Sequence, residues 1–253
     1  MPKTAAEINR AYYDGLFEGD ASYWKHMAAP RVRAKRILEA ASGLCPKTIG
    51  DFGCGGSNML LILRRRFPEA RLAGVDLSGA RIARNASLYP DIHWVCADVC
   101  SRGFLGSMPF PVDLALSMEV IEHVDDPLAY LANIAGAMSE AGMLVLSTQS
   151  GMMRPTEVYV GHIRHFSAIE MEALLRQAGF TGVRAWNEGF PFHNLSKQAA
   201  NIFPQRIIRD FGTFRYGHYQ LAVCMILRVL FVFNSRKRGA QLFATARKAP
   251  GGS

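Results

Sequence analysis

The sequence predicts a doubly wound α/β fold with a mostly parallel sheet, and two observations carry that prediction. Short apolar strands alternate with amphipathic helices between positions 46 and 186, as expected for strands joined by helical crossovers. A glycine-dense stretch, D-F-G-C-G-G-S-N at positions 51–58, lies between the first of these strands and the first helix. Since 253 residues with 49% hydrophobic content suit one substantial core, we expect a single decorated domain over residues 1–253.

Two lead-in helices are predicted in residues 1–45, before the sheet begins. Apolar side chains recur at helical spacing from Thr4 to Gly19 and again from Arg31 to Ala41. The paired tyrosines Tyr12 and Tyr13 lie on the first of them, where core packing explains them nearly as well as a contact with a ligand.

The predicted core covers residues 46–186. Its strands are expected at Thr48–Asp51, Arg71–Asp76, Ile92–Ala97, Val112–Ser117, Met143–Thr148 and Phe180–Trp186. Its helices are expected at Asn58–Phe67, Gly79–Leu88, Val120–Val124 and Pro127–Ser139. The spacing of Ser167 and Glu170 is that of a capping box, which predicts a further helix that Gly179 ends.

Residues 187–240 form a long insertion before the last predicted strand, which lies in residues 241–248 at Gln241–Arg247. The insertion is rich in aromatic and basic residues, and from Phe190 to Phe233 apolar side chains alternate with arginines. This composition suits a helical substrate cap, a helix on an anionic membrane surface, or an ordinary buried helix with solvated arginines. The sequence leaves these alternatives open.

Composition limits the partners and the compartment. A net charge of +8 favours an anionic partner, which could be nucleic acid, an acidic membrane or a phosphorylated substrate. The five cysteines are scattered without a C-x-x-C pair, so we expect neither disulfides nor a metal site. Residues 1–10 lack the pattern of a secretory signal, and the apolar run Leu221–Phe233 is shorter than the roughly 20 residues that cross a bilayer. A cytoplasmic protein is expected, with peripheral contact at the inner membrane face as an open alternative.

Three successive strands are followed by, or end on, an acid: Asp51, Asp76 and Asp98. Ligands of open α/β sheets bind beyond the carboxyl ends of the strands, so these positions are informative. A dinucleotide would explain Asp76, but its G-x-G-x-x-G pattern breaks at Asn58, and a pyrophosphate gives no reason for an acid at position 51. A cation with an amine, a ribose and an adenine explains all three acids, and S-adenosylmethionine is such a ligand.

The motifs D-F-G-C-G-G-S-N, G-V-D-L-S, A-D-V and D-L-A-L-S-M-E-V-I-E-H-V-D-D-P resemble, in order and spacing, those of class I S-adenosylmethionine-dependent methyltransferases. The resemblance covers about residues 46–186. It implies a Rossmann-like methyltransferase fold with seven strands, the last antiparallel. By position, it implies the following cofactor contacts: Asp51, Gly53, Cys54, Gly55 and Asn58 in the methionine-side loop, Asp76 and Leu77 at the ribose and adenine, Asp98 and Val99 at the adenine edge, Ser117 beneath the sulfonium, and Tyr13 on a helix that closes over the cofactor.

The residues after the fourth strand indicate the acceptor class. Ser117-Met118-Glu119-Val120 lacks the proline and aromatic ring of enzymes that methylate nucleobase amino groups, so nucleic acid is disfavoured as a substrate. M-E-V-I-E-H-V-D-D-P is similar instead to small-molecule methyltransferases, including the O-methyltransferases of ubiquinone biosynthesis. That similarity implies a hydroxyl of a small or lipid-like metabolite as acceptor. Transfer to nitrogen or carbon, a catalytically inert cofactor-binding protein and a nicotinamide oxidoreductase are the alternatives.

A hydroxyl acceptor needs a base, and histidine suits that role near neutral pH. His123, six residues after the fourth strand, is the first candidate, although it could equally pack or cap its helix. His162 is a further candidate to touch the acceptor, whereas His165 is expected to pack at a helix start. Glu119 and Glu122 could be carboxylates of the acceptor pocket, with Glu122 expected on a solvated helix face.

Overall fold

A computed structural model describes residues 20–211 and 215–250, and a seven-stranded sheet forms its centre. The strands are β1 (Thr48–Phe52), β2 (Arg71–Asp76), β3 (His93–Cys96), β4 (Val112–Met118), β5 (Met138–Gln149), β6 (Phe180–Glu188) and β7 (Gln241–Lys248). Their order across the sheet is β3-β2-β1-β4-β5-β7-β6. Strands β1 to β5 are parallel, and β7 is antiparallel to both β5 and β6. The predicted seven-stranded doubly wound sheet with an antiparallel last strand is confirmed.

The strand order reverses between β1 and β4, which are neighbours in the sheet. Connections from these two strands leave toward opposite sides, so a crevice opens beyond their carboxyl ends. The predicted ligand positions follow strands that end at this crevice.

Helices cover both faces of the sheet. They are α1 (Asp20–His26), α2 (Ala28–Ala40), α3 (Asn58–Arg66), α4 (Gly79–Leu88), α5 (Pro127–Ala137), α6 (Pro155–Tyr159), α7 (Ala168–Gln177), α8 (Phe192–Ile202), α9 (Pro204–Phe211) and α10 (His218–Leu230). Buried side chains of α5 and α7 form one core with the sheet, and those of α2, α3 and α4 form the other. Burial on both faces removes the apolar strands from water, as the continuous apolar runs predict.

Two N-caps explain where helices begin. Ser167 accepts the N–H of Glu170 and the Glu170 side chain accepts the N–H of Ser167, which confirms the predicted capping box. Asp126 accepts the N–H of Ala129 and caps α5. Because a new helix begins there, the segment predicted as a helix at Val120–Val124 has room only for a 3₁₀ turn, at Ile121–His123.

Other boundaries differ from the predictions in length. Strand β5 begins five residues earlier than expected, because Met138 already pairs with Val112 of β4. The helices α1 and α6 carry too few periodic apolar positions to be predicted. The predicted helix Thr4–Gly19 lies outside the described residues.

The insertion between β6 and β7 is helical, as predicted, and consists of α8, α9, α10 and a 3₁₀ turn at Phe231–Phe233. No helix in residues 20–211 and 215–250 is long and apolar enough to cross a membrane.

Candidate active site

The loop after β1 lies against its neighbours so closely that it requires glycine. The N–H groups of Gly53 and Cys54 both donate to the carbonyl of Val75, which folds the loop over the end of β2. Gly53 has φ +88°, and a Cβ there would lie 2.3 Å from a methyl group of Val120. Only glycine satisfies both the positive φ and this approach. The loop therefore presents bare backbone to the space above the sheet.

Asp51, the residue before the end of β1, is a buried acid with an unmet hydrogen-bonding need. It is 3% exposed, and its Oδ1 has no hydrogen-bond partner among the described residues. Burial and the negative charge of Asp76 raise the pKa of Asp51 to about 7. A carboxylate in such a place gains a great deal from a cationic ligand.

The acids after β2 and β3 lie at the same edge of the sheet. Asp76 accepts the N–H of Gly55 at 2.8 Å through Oδ2 and the N–H of Ser78 at 2.9 Å through Oδ1. Asp98 is exposed and accepts the N–H of Cys100 at 2.8 Å. Backbone donors thus orient both carboxylates at the carboxyl ends of the parallel strands.

A cavity of about 740 Å³ joins these acids to the helices above the sheet. Asp51, Asp76 and Asp98 line it, together with the predicted contacts Gly53, Cys54, Gly55, Leu77 and Val99. On the opposite side it is lined by residues of α1, α2, α8 and α9: Tyr23, Trp24, Arg33, His193, Lys197 and Phe211. The cavity is large enough for a nucleoside-sized ligand and a second small molecule.

Two of the predicted cofactor residues that the structure describes do not line the cavity. Asn58 is the first residue of α3 and does not line it. Ser117 is fully buried, and its hydroxyl lies 2.8 Å from that of Tyr130, which itself donates to the carbonyl of Phe52. Ser117 therefore holds Tyr130, and the neighbouring Met118 and Glu119 face the cavity in its stead. Tyr13 lies outside the described residues.

Two imidazoles predicted to act on the acceptor, those of His123 and His162, meet at the cavity wall. Their ring centroids are 4.7 Å apart in an edge-to-face arrangement, and both rings line the cavity. Nδ1 of His123 donates to the carbonyl of Gly161 at 3.0 Å. Burial lowers the pKa of His123 below its ordinary value, so the ring is neutral at neutral pH with Nε2 as its basic nitrogen.

A third histidine determines the tautomer of His162. Nδ1 of His165 donates to the carbonyl of Gly151, which leaves its Nε2 as an acceptor for Nδ1–H of His162 at 3.0 Å. Burial and the neighbouring His123 lower the pKa of His162. His165 thus orients a ring of the cavity, beyond the packing role expected for it.

The two glutamates after β4 have opposite protonation tendencies. Glu119 accepts hydrogen bonds from the side chains of Ser147, Gln149 and Gln241, and its Oε2 lies 3.7 Å from Nη1 of Arg33. Burial alone would raise the pKa of Glu119, but the charge of Arg33 and these donors lower it. Glu119 is therefore ionised and strongly held.

Glu122 corrects a sequence expectation, because it is not on a solvated helix face. It is 0% exposed, its Oε2 accepts the hydroxyl of Thr148 at 2.7 Å, and its Oε1 has no hydrogen-bond partner among the described residues. Burial and the nearby charge of Glu119 raise the pKa of Glu122. The pattern of charged residues suggested a surface helix, but the short 3₁₀ turn points this side chain into the core.

Glu122, His123 and His162 are also the group of residues that could hold a cation. One potential ligand atom from each lies within 4.8 Å of those of the other two, and no other such group occurs within the described ranges. The same arrangement suits proton transfer between imidazole and carboxyl groups, so the absence of a metal site stays a prediction.

Sequence reasoning missed two basic residues at the cavity, Arg33 and Lys197, and gave little weight to His193. Arg33 is buried in α2, where it also donates to the hydroxyl of Tyr23 at 3.2 Å. Lys197 of α8 pairs with Glu157 at 2.7 Å and donates to Gln149. His193, also of α8, is 7% exposed, and burial lowers its pKa to about 3. The sequence signal that could have identified Arg33 is its position on the apolar face of α2, four residues before Ile37.

Two curated relatives match part of this sequence. The trans-aconitate 2-methyltransferase of Escherichia coli O45:K1 is 29% identical over 149 residues, 58% of each chain, and that of Escherichia fergusonii is 28% identical over 143 residues, 56% of this chain and 55% of the relative. The chain thus matches less than two thirds of the length of these curated relatives.

Solved structures share the fold. The [4+2]-cyclase SpnF has a TM-score of 0.63 at 19% identity, covering 99% of this chain and 98% of its own. Phosphoethanolamine N-methyltransferase 2 of Haemonchus contortus, in complex with phosphomonomethylethanolamine and S-adenosylhomocysteine, has a TM-score of 0.63 at 13% identity, covering 98% and 61%. At these identities the likeness concerns the fold alone.

A family model described as a methyltransferase domain matches residues 23–185, which include the glycine loop, the three strand-end acids and both imidazoles of the cavity. The chain therefore belongs to the methyltransferase domain family, the class I enzymes that take their methyl group from S-adenosylmethionine.

Proposed function

We propose that this chain transfers a methyl group from S-adenosylmethionine to a hydroxyl of a small or lipid-like acceptor, with His123 as the base. The observation that carries the proposal is the shared cavity, which the strand-end acids and the rings of His123 and His162 line together. A donor and an acceptor in one cavity can be aligned for direct transfer while water is excluded.

The donor side of the cavity fits the cofactor group by group. Oδ1 of Asp51, which no described residue bonds, suits an ammonium, the carboxylate of Asp76 suits ribose hydroxyls, and that of Asp98 suits an adenine amine. S-adenosylmethionine, when bound, supplies a methyl group already activated by its sulfonium. A pyrophosphate would be repelled by Asp51, so a nicotinamide dinucleotide fits this loop poorly.

The acceptor side offers a base in the correct state. His123 is neutral at neutral pH because burial lowers its pKa, and its bond to Gly161 leaves Nε2 as the nitrogen that receives a proton. The hydroxyl proton would move to Nε2 as the new carbon–oxygen bond forms and the methyl carbon–sulfur bond breaks, with the electron pair of that bond leaving on the sulfur of S-adenosylhomocysteine. His162 and Glu119 complete this wall, His162 as a neighbouring neutral ring and Glu119 as a carboxylate held by Arg33.

The charges of the acceptor side favour a neutral acceptor. Arg33 and Lys197 face the cavity, but each is paired with a carboxylate, Glu119 or Glu157. A carboxylate acceptor is the second candidate, because curated relatives act on trans-aconitate. Such an acceptor needs no base, and this difference separates the two candidates.

The test measures transfer from methyl-labelled cofactor to the small molecules of a cell extract by the wild type, His123→Gln and His218→Gln. His218 is exposed on α10 and serves as the control. We expect His123→Gln to lower the rate by about 10²- to 10⁴-fold while cofactor affinity stays unchanged, and His218→Gln to behave as the wild type.

The labelled product identifies the acceptor atom. An ether survives treatment with alkali, whereas a methyl ester releases labelled methanol, and mass spectrometry recognises methylation at nitrogen or carbon. Ester, amine or carbon products would replace the hydroxyl proposal, and tight cofactor binding without any product would favour an inert binding protein. Loss of activity in chelator, restored by a divalent cation, would reassign His123 from proton transfer to cation binding.

A further inference from the structure

The outer face of α10 and of the turn that follows it is apolar and exposed. Six large side chains on this face each have more than half of their surface in solvent: Tyr219, Met225, Ile226, Val229, Val232 and Phe233. We call these six residues the apolar stripe. A surface helix ordinarily presents polar residues to water, so the stripe has no explanation in the folding of α10 itself.

The inner face of α10 is already used for packing. Cys224 is 2% exposed and its Sγ lies 3.4 Å from the sulfur of Met27, and α10 contacts both α1 and α2. Helical geometry separates the two faces, because Cys224 points away from Ile226 and Val229 at about 100° per residue. Apolar side chains thus lie on both faces of the helix, and none of the described residues covers its outer half.

A cluster of cations lies beside the stripe. Lys25, Arg31 and Arg228 are exposed, and Arg31 donates to the carbonyl of Lys25 at 2.7 Å. Met27 contacts Cys224 of α10, and the ring of His26 lies 5.7 Å from that of Tyr216, so Lys25 and Arg31 lie beside the helix that carries Arg228. From position 189 to position 240 the only acid in the sequence is Asp210, which pairs with Arg206 and Arg209.

The charges decide between the occupants that an apolar face could have. A second copy of this chain meeting the stripe across a two-fold axis would bring the same cations against each other. An anionic bilayer gains from both features, since apolar side chains enter the interface while lysine and arginine meet the head groups.

We propose that the apolar stripe and the cations Lys25, Arg31 and Arg228 dock this protein on the surface of an anionic lipid bilayer. The helices α8 and α9 of the same insertion line the cavity through His193, Lys197 and Phe211. Docking would therefore bring the roof of the cavity to the lipid surface and give a lipid-like acceptor a short path to it, a consequence that rests on the proposed function.

The experiment is co-sedimentation of the full chain with vesicles of phosphatidylcholine alone or of phosphatidylcholine and phosphatidylglycerol in equal parts. We expect partitioning to be at least tenfold stronger on the anionic vesicles and to weaken with salt. Arg228→Gln should weaken it by about fivefold, and Ile226→Ser/Val229→Ser by roughly tenfold or more.

Matched controls make the same chemical changes elsewhere. Ile169 of α7 is 83% exposed, and Arg65 of α3 is exposed. Ile169→Ser and Arg65→Gln should partition as the wild type does. Each variant is also tested for binding of labelled S-adenosylmethionine by equilibrium dialysis, so a loss of docking is distinguished from a loss of the cofactor site.

Equal partitioning on neutral and anionic vesicles, or stripe variants that sediment as the wild type, would overturn the docking proposal. A concentration-dependent dimer in sedimentation velocity without lipid, abolished by Ile226→Ser/Val229→Ser, would assign the stripe to a second copy. Either result leaves the proposed methyl transfer intact, because cofactor binding and product formation are measured separately.

Discussion

The two sides of the cavity are built in different ways. On the donor side, the polar groups come from three strand ends within positions 51–100, and each carboxylate that is bonded accepts backbone N–H groups of the same side. On the acceptor side, Glu119 is held by residues as distant in sequence as Arg33 and Gln241. The donor side is held by bonds to nearby backbone groups, whereas the acceptor side is held by bonds between side chains that are distant in sequence.

Because of this difference, a short sequence motif can encode the donor side of the cavity but not the acceptor side. A strand end and its glycine loop have a fixed geometry over a few residues, so a short sequence motif is enough to predict the ligand that they bind. The network of side chains around Glu119 depends on how α2, β4, β5 and β7 pack against one another. No short sequence motif can therefore predict it. We expect the donor side to respond mainly in ligand affinity and the acceptor side mainly in stability.

The largest effect is expected at Arg33. Arg33→Met removes the cation beside Glu119, whose side chain is 21% exposed, and leaves this largely buried carboxylate with only neutral donors among the described residues, which should cost roughly 3–5 kcal/mol of unfolding free energy. Lys35→Met, an exposed change on the same helix, should be nearly neutral. Urea unfolding of both variants measures the difference.

A double variant tests whether the uncompensated charge of Glu119 causes this loss of stability. Arg33→Met/Glu119→Gln removes the uncompensated charge and should recover part of the lost stability. If Arg33→Met unfolds at the same urea concentration as the wild type, the acceptor side does not depend on this ion pair and the comparison of the two sides fails.

A smaller effect is expected at Gly53, where the donor side depends on close approach. Gly53→Ala places a Cβ against Val120 at a φ of +88°, which should cost roughly 2–4 kcal/mol and displace the loop from the cofactor. Gly103→Ala is the control, since a Cβ there meets nothing within 4 Å. Thermal unfolding and cofactor affinity are measured together.

Adding Val120→Ala to Gly53→Ala relieves the contact but not the positive φ, so the rescue should be partial. A Gly53→Ala variant that binds the cofactor as the wild type does would show that the loop can carry a side chain.

The smallest effect on stability, and one of opposite sign, is expected at Asp51. Its pKa in the folded chain is raised to about 7, so its contribution to stability is complete below the unfolded pKa and is lost as the pH rises through 7. Asp51→Asn removes this loss. Its unfolding free energy relative to the wild type should therefore increase by about 1 kcal/mol between about pH 6 and about pH 8.

The same variant should bind S-adenosylmethionine about 100-fold more weakly, because the ammonium loses its carboxylate. Calorimetry at several pH values measures the affinity, and thermal unfolding without ligand measures the stability. If Asp51→Asn is less stable than the wild type at both pH values, Asp51 is a structural residue and not a ligand-binding one.

Sequence reasoning predicted the sheet more closely than it predicted the surroundings of the residues where β4 ends. Strand β2 and helix α4 have the predicted bounds, because a short apolar strand followed by helical spacing is a local signal. Glu122 was expected in solvent and is in the core, and Ser117 was expected at the sulfonium and holds Tyr130. The expectation for Glu122 is wrong, whereas the place of Ser117 beneath the sulfonium stays a prediction. Both residues lie near the end of β4, where a turn that α5 limits decides whether a side chain faces the cavity or the core.

The doubly wound sheet, the glycine loop and the order of the acids Asp51, Asp76 and Asp98 follow from the amino-acid sequence alone, because strand alternation, glycine conformations and strand-end positions are properties of short segments. Three features become visible only in the folded chain: Arg33 lies beside Glu119, His165 orients His162, and α10 has an apolar face that no described residue covers. These features depend on which faces the helices present to one another, and that is decided by the packing of the whole chain.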